Sequence, residues 1–258
     1  MQTDQLSRLK AWFNTYTRSF LTGETRTDSP LMLKIAHTAR VCDNIRHLGR
    51  SVHLTGGQMC MAEVTGLFHD LGRFVQYRRY GTFNDRQSVN HASLGIDVLN
   101  ENAVLDMLPA DKKDMIIDAI RFHNAPALPE NKPLASTIVM RLIRDADKLD
   151  IWKIFADCYR YHRRVEPAIV QHLPDLPVWD EKIVNAIYEK RVAKFQDMKS
   201  LNDFKLLQLS WVFDLHFPET FKQAKKRGDL LAIARSLPDD PALHRAVAVV
   251  SDRLKEAL

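Results

Sequence analysis

Glycine is sparse, with 9 residues in 258. That is too few for a Gly-rich dinucleotide-binding unit or for an all-β fold with many tight turns. Three cysteines (Cys42, Cys60 and Cys158) are odd in number and far apart, which excludes a disulfide framework and a CxxC metal knuckle. No apolar run approaches the roughly 18 residues of a membrane span. The opening MQTDQLSRLKAWF has no apolar stretch ending in a small-residue cleavage site, so no secretory signal is expected. The motifs GxSxG, HExxH, GxGxxG and the Walker-type phosphate loop are all missing. Charge of either sign is also not in large excess: 37 Lys plus Arg against 32 Asp plus Glu gives +5. Such a balance suits phosphate-bearing ligands without signalling nucleic acid. These absences lead to the expectation of a soluble cytoplasmic protein with no membrane partner, and they leave homo-oligomerisation open.

What the chain does have is helical periodicity. A hydrophobic share of 45% supplies a core. Over 31–48, Leu31, Ile35, Cys42 and Ile45 form one stripe, beside Leu33, Val41 and Leu48. Asp28 and Ser29 before Pro30 read as the start of that helix, and Gly49 as its stop. Further helices are expected over 57–74, 90–100, 111–123 and 134–155, with 78–89 as a loop and the proline-containing APALPENKP before the last of them. After a proline-rich stretch at 167–177, helical patterns resume over 179–198, 201–217, 219–237 and 241–258. SLPDDP is the turn before the last one. No run alternates apolar and polar with β-branched enrichment. The reading is all-α: a core over 1–164 that carries the chemistry, and a C-terminal helical extension over 165–258.

Six His and Asp positions fall in an informative order. His37 lies in KIAHTAR, His69 and Asp70 in GLFHDLGR, His91 in NHASLG, His123 in IRFHN and Asp147 in RDADKLD. Neighbours on a helix diverge by about 100°, yet an imidazole and a carboxylate can still converge on one ion beside it. Neutral His with ionised Asp suits Mn, Fe, Co, Ni or Zn, and Mg less well.

The order His, then His-Asp, then Asp resembles the HD-domain superfamily of metal-dependent phosphohydrolases, with 31–154 carrying the match. HASLG and the later His123 resemble the subset with two additional histidines. The resemblance implies that His37, His69, Asp70 and Asp147 hold one metal and that His91 and His123 hold a second, with Asp70 bridging. It places His69, Asp70 and Arg73 at the catalytic positions. Two ions about 3.5–4 Å apart activate a bridging water and clamp a phosphoryl oxygen. Six protein ligands cannot fill two octahedra, so positions for water and substrate remain. The sequence departs from the cyclic-dinucleotide branch, because Arg73 stands where HDxGK has lysine and no GYP signature follows.

The implied activity is hydrolysis of a nucleotide or other small phosphate ester, as phosphomonoesterase or phosphodiesterase, by a hydroxide activated at one or two divalent transition-metal ions, a mononuclear site being the alternative to the binuclear one. The same ligand set also resembles mixed-valence di-iron oxygenases, and a non-catalytic nucleotide-binding regulator is a third reading. Arg78 and Arg79, amid Tyr77, Tyr80 and Phe83, are candidate phosphate contacts, since arginine forks match phosphate oxygens. Lys148 is a further candidate. Asp145 and Asp150 read as outer-sphere or solvated. His47, His53, His162, His172, His216 and His244 read as surface or packing residues, and Arg160/Arg163/Arg164 and Lys225/Lys226/Arg227 as solvated faces. The three cysteines read as buried small hydrophobes, and Trp211, Phe213 and Phe217 as core.

Overall fold

A computed structural model describes residues 3–161, 170 and 173–256, and every regular element among them is helical, as the periodicity predicts. His162, Arg163, Arg164, Pro167 and His172, with the boundary expected at 164/165, lie outside the described residues. The chain divides into two compact units, Met1–Asp147 and Lys148–Leu258. No helix among the described residues is long and apolar enough to cross a membrane.

The first unit contains α1 (Thr3–Arg18), α2 (Thr25–Ser51), α3 (Gly56–Phe68), α4 (Gly72–Tyr80), α5 (His91–Glu101), α6 (Ala110–Phe122) and the first part of α7 (Leu134–Arg160). Leu6, Leu9, Phe13 and Thr17 of α1 are buried at three- and four-residue spacing, the stripe of an amphipathic helix. Phe13 meets Phe68 and Phe74 edge-on, at 6.3 and 6.2 Å between centroids. With Leu67, Leu71, Leu99, Leu105, Ile116 and Ile120 these rings form one apolar core.

The start of α2 differs from expectation. The helix begins at Thr25, so Pro30 lies inside it and Gly49 does not stop it. A proline this close to the first turn forfeits a single intrahelical bond, and the helix absorbs that loss. The Asp28 carboxylate accepts from the backbone N–H of Thr22 at 2.9 Å and of Gly23 at 2.8 Å, tying the preceding turn to the helix. Gly49 and Gly66 serve packing: a Cβ would stand 2.7 Å from Met59 Cε in the first case and 2.5 Å from Ile45 Cδ1 in the second. Their bare faces let α2 and α3 lie close, which brings His37 towards His69.

The expected 57–74 helix breaks. α3 ends at Phe68, residues 69–71 form a turn, and α4 continues to Tyr80 before Gly81, at φ 65°, ends it. Arg78 and Arg79 therefore sit in the last turn of a helix and are exposed there. They are not on a loop. α5 and α6 match their expected spans to within a residue or two.

The second unit holds the rest of α7 with α8 (Glu181–Tyr188), α9 (Leu201–Ser210), α10 (Pro218–Arg227), α11 (Asp229–Ala234) and α12 (Pro241–Glu256). Here the expected helices are shorter. α8 stops at Tyr188, followed by Lys190 at φ 54°, and only a 3-10 turn at Phe195–Asp197 represents the rest of 179–198. α9 gives way to a 3-10 turn, Trp211–Asp214, so Trp211 and Phe213 are only partly buried while Phe217 is buried. Gly228 in the left-handed region separates α10 from α11. Trp152 Nε1 donates to the Gln208 carbonyl at 2.9 Å, joining α7 to α9. Cys42 is buried, whereas Cys60 and Cys158 are only partly so.

Candidate metal centre

Five segments deliver the six candidate ligands. α2 carries His37, the turn between α3 and α4 carries His69 and Asp70, and α5 opens with His91. His123 caps α6, and Asp147 lies on α7. All four histidines and Asp70 are buried. Asp147 keeps 17% of its side chain exposed, so the group is approachable from solvent.

His37 Nε2 lies 3.3 Å from His69 Nε2, 3.5 Å from Asp70 Oδ2 and 3.1 Å from Asp147 Oδ1. His69 Nε2 is 3.6 Å from the same Asp70 oxygen and 3.7 Å from Asp147 Oδ1. The other Asp70 oxygen, Oδ1, faces His91 Nε2 at 3.3 Å, and His91 Nε2 is 3.0 Å from His123 Nε2. The two Asp70 oxygens are thus divided between two triads, His37/His69/Asp70 and Asp70/His91/His123, each with ligand atoms close enough for one ion.

The far side of the rings fixes their tautomers. His69 Nδ1 donates to the Gly66 carbonyl at 2.8 Å, His123 Nδ1 to the Ile120 carbonyl at 2.7 Å, and His91 Nδ1 to Asp85 Oδ2 at 2.7 Å. A carbonyl or ionised carboxylate cannot donate, so each Nδ1 carries the proton, and a neutral ring then has a bare lone pair at Nε2. Burial pulls the His123 pKa down to about 3, with His91 and His69 adding to the effect. His91 is also lowered, first by burial and then by Arg73. Two neutral rings pointing lone pairs at each other across 3.0 Å repel unless a cation lies between or beside them. Asp147 Oδ1 is a buried acceptor with no hydrogen-bond partner in this cluster. Neutral imidazole nitrogens, carboxylate oxygens and an orphaned acceptor together fit a divalent ion.

Burial alone would raise the Asp70 pKa, but Lys34, His69, Arg73 and His91 together hold it well below the usual carboxylate range. Asp147 behaves alike: burial opposes ionisation, and His37 and His69 outweigh it. The pH dependence follows. Near pH 5 the folded protein keeps His123 neutral while the unfolded chain protonates it, and the lowered His91 acts in the same direction, so the unfolded state binds more protons and stability falls with pH below about 6.5. The Asp70 and Asp147 contributions are full above their unfolded pKa and fade only as pH falls through the lower folded values. Urea midpoints of metal-free protein are expected to drop steadily from pH 6.5 to 4. A flat profile across that window would contradict the neutral-histidine assignment.

Four supporting residues carried no sequence signal strong enough to single them out. Lys34, one turn before His37 on the same face, donates to Asp70 Oδ2 at 2.6 Å. Asp85 receives the His91 proton. Arg144, one turn before Asp147, donates to the carbonyls of Phe122 at 3.0 Å and Ala125 at 2.6 Å, holding the end of α6 where His123 sits. Asn44 Nδ2 donates to the Ala146 carbonyl at 3.0 Å, fixing α7 against α2 beside Asp147.

The remaining expected residues divide. Arg73 Nε is 3.4 Å from Asp70 Oδ1, and its Nη1 donates to Asp85 at 2.8 Å and to the Phe83 carbonyl at 2.6 Å. Lys148, in the second unit, pairs with the Asp214 carboxylate and donates to its carbonyl at 2.8 Å. Asp145 and Asp150 are fully buried, which corrects the solvated alternative. His47, His53 and His244 are exposed and His216 is partly so; none belongs to either triad.

Six side chains from four helices and one interhelical turn, brought into one buried cluster with their donor atoms facing inward, define a helical metal-binding protein. Comparison with family models carries this further: the HD domain model matches residues 35–152, a span that includes all six candidate ligands. No curated protein and no solved structure gave a significant match. The chain carries an HD domain, the unit of the metal-dependent phosphohydrolase family, and with its His/Asp metal site intact it is an HD-domain hydrolase.

Proposed function

We propose that the protein hydrolyses a nucleotide or similar small phosphate ester, as a phosphomonoesterase or phosphodiesterase, with two divalent transition ions. His37, His69, Asp70 and Asp147 would hold one ion; Asp70, His91 and His123 would hold the other. Bound there, Mn, Fe, Co, Ni or Zn would supply Lewis-acid activation of water and of the phosphoryl oxygen. The observation that carries this reading is the division of the Asp70 oxygens between the two triads. In this reading residues 1–164 act as the catalytic core, 165–258 as a helical extension, and the protein works in the cytoplasm.

The chain's own groups have separable tasks. Asp70 would be a ligand to both ions, and Lys34 and Arg73 help to keep it ionised. His69 is fixed by the Gly66 carbonyl, so its reactive nitrogen needs no reorganisation. Asp147, partly exposed, lies where substrate would enter. Phosphate recognition falls to Arg78 and Arg79, both exposed, although Arg78 also donates to the Phe20 carbonyl at 3.3 Å. Lys148 could contribute only by opening its pair with Asp214.

Chelated protein reconstituted with Mn, Co or Ni is expected to release phosphate from some member of a panel of phosphomonoesters and phosphodiesters, with Mg weaker and with unchanged rates under argon. Failure across the whole panel in metal-replete protein would overturn the proposal, and an oxygen requirement would replace hydrolysis with oxygenase chemistry. The double variant Arg78→Ala/Arg79→Ala is expected to lower kcat/KM about tenfold or more, the scale of a lost charge-assisted contact, at unchanged metal content. Unaltered kinetics would remove these arginines from the substrate site.

A further inference from the structure

The loop between α4 and α5 contains a carboxylate with an unusually full set of partners. Asp85 Oδ2 accepts from His91 Nδ1 at 2.7 Å, and Asn124 Nδ2 approaches it at 3.4 Å. Asp85 Oδ1 accepts from Arg73 Nη1 at 2.8 Å and from Gln76 Nε2 at 2.8 Å. Gln76, itself buried, also donates to Ser88 Oγ at 2.9 Å and to the Val89 carbonyl at 3.0 Å, holding the loop after Asp85, while Arg73 Nη1 donates to the Phe83 carbonyl at 2.6 Å and holds it before. The other two histidines with a defined Nδ1 partner, His69 and His123, are held by backbone carbonyls of their own segments. His91 is held by an ionised side chain from a different segment.

We propose that Asp85 is a positioning residue for the second triad: it fixes His91 as the Nδ1–H tautomer and aims its Nε2 lone pair at a divalent ion shared with Asp70 and His123. The inference rests on the two-ion reading above. A carboxylate behind a ligating imidazole orients the ring and raises its basicity, and its loss typically costs about 10–100-fold in metal affinity. Arg73 extends the arrangement, since it contacts both Asp85 and the shared Asp70. Loss of Asp85 should therefore weaken one ion selectively, because the candidate ligand it holds directly is His91 of the second triad.

The geometry also selects the test substitution. In Asp85→Asn, whichever oxygen becomes an amide would face an existing donor, either His91 Nδ1–H or the Arg73 and Gln76 donors. Calorimetric titration of metal-free full-length protein with Mn²⁺, with bound metal counted after desalting, is expected to give two ions for wild type. In Asp85→Asn the first ion should bind as in wild type and the second about tenfold or more weaker. The spin-coupled Mn–Mn signal should disappear from its paramagnetic resonance spectrum. Ser88→Ala, which trims the same loop but spares Asp85, should keep both ions. Two ions of unchanged affinity in Asp85→Asn would overturn the inference alone. A single ion in wild type would overturn the two-ion reading and this inference with it. A second measurement needs no variant: nitrogen-15 spectra of metal-free wild-type protein should show His91 protonated at Nδ1, and protonation at Nε2 alone would overturn the assignment even if Asp85→Asn failed to fold.

Discussion

Asp70→Ala is expected to abolish phosphate-ester turnover, by more than about 100-fold, while leaving the helices folded. The magnitude follows from position. Loss of a residue behind a ligand typically costs 10–100-fold in metal affinity or activity, and Asp70 faces both triads directly. Its removal takes an oxygen from each half of the site at once. It also strands Lys34 and Arg73, whose side chains are 15% exposed and retain access to water. The apolar core of α1, α3, α5 and α6 does not depend on the carboxylate. Far-UV circular dichroism should therefore match wild type, bound Mn should fall, and initial rates should reach background. Wild-type-like turnover would contradict the shared role of Asp70.

The second large effect is expected at a residue with no functional group. Gly72 opens α4, and a Cβ placed there would stand 2.1 Å from the His91 carbonyl oxygen and 2.6 Å from the Gly95 nitrogen. Both obstacles are backbone, so no rotamer change relieves them. Gly95 faces the same contact from α5, where an added Cβ would lie 3.0 Å from Gly72 N. The two glycines allow α4 and α5 to touch, and His91 sits at that touch point. Gly72→Ala should cost stability at or above the upper end of the ~1–3 kcal/mol typical of overpacking. It should also weaken the ion held by His91, since relief requires α5 to move. Urea denaturation of metal-free protein measures the first effect and Mn²⁺ titration the second. An unchanged midpoint together with unchanged metal uptake would show that the approach of these helices is not needed.

Much of the site could be read from sequence because its parts have distinctive chemistry. Histidine and aspartate at six ordered positions on helical segments are uncommon enough to stand out, and the structure brings those side chains into mutual reach. The supporting groups were hidden for a physical reason. Lys34 reads as an ordinary helix lysine until α2 is packed on the His69–Asp70 turn, and Asp85 reads as a loop residue until the loop folds back on α5. Arg144 and Asn44 act on backbone carbonyls of distant segments, which no local pattern encodes.

Element boundaries failed for a related cause. Periodicity runs unbroken through Phe68 and Gly72 because both sides of the break face the same core, so the turn that presents His69 and Asp70 leaves no gap in the apolar pattern. The same continuity hid the end of α4 and moved Arg78 and Arg79 onto a helix. In the C-terminal region, left-handed backbone at Lys190 and Gly228 ended helices that composition alone would have continued.

Anomalous diffraction from crystals grown with Mn²⁺ should show two peaks in the first unit, one bounded by His37, His69, Asp70 and Asp147 and the other by Asp70, His91 and His123. Mn²⁺ bound elsewhere on the chain, with neither triad occupied, would contradict a metal centre at these residues.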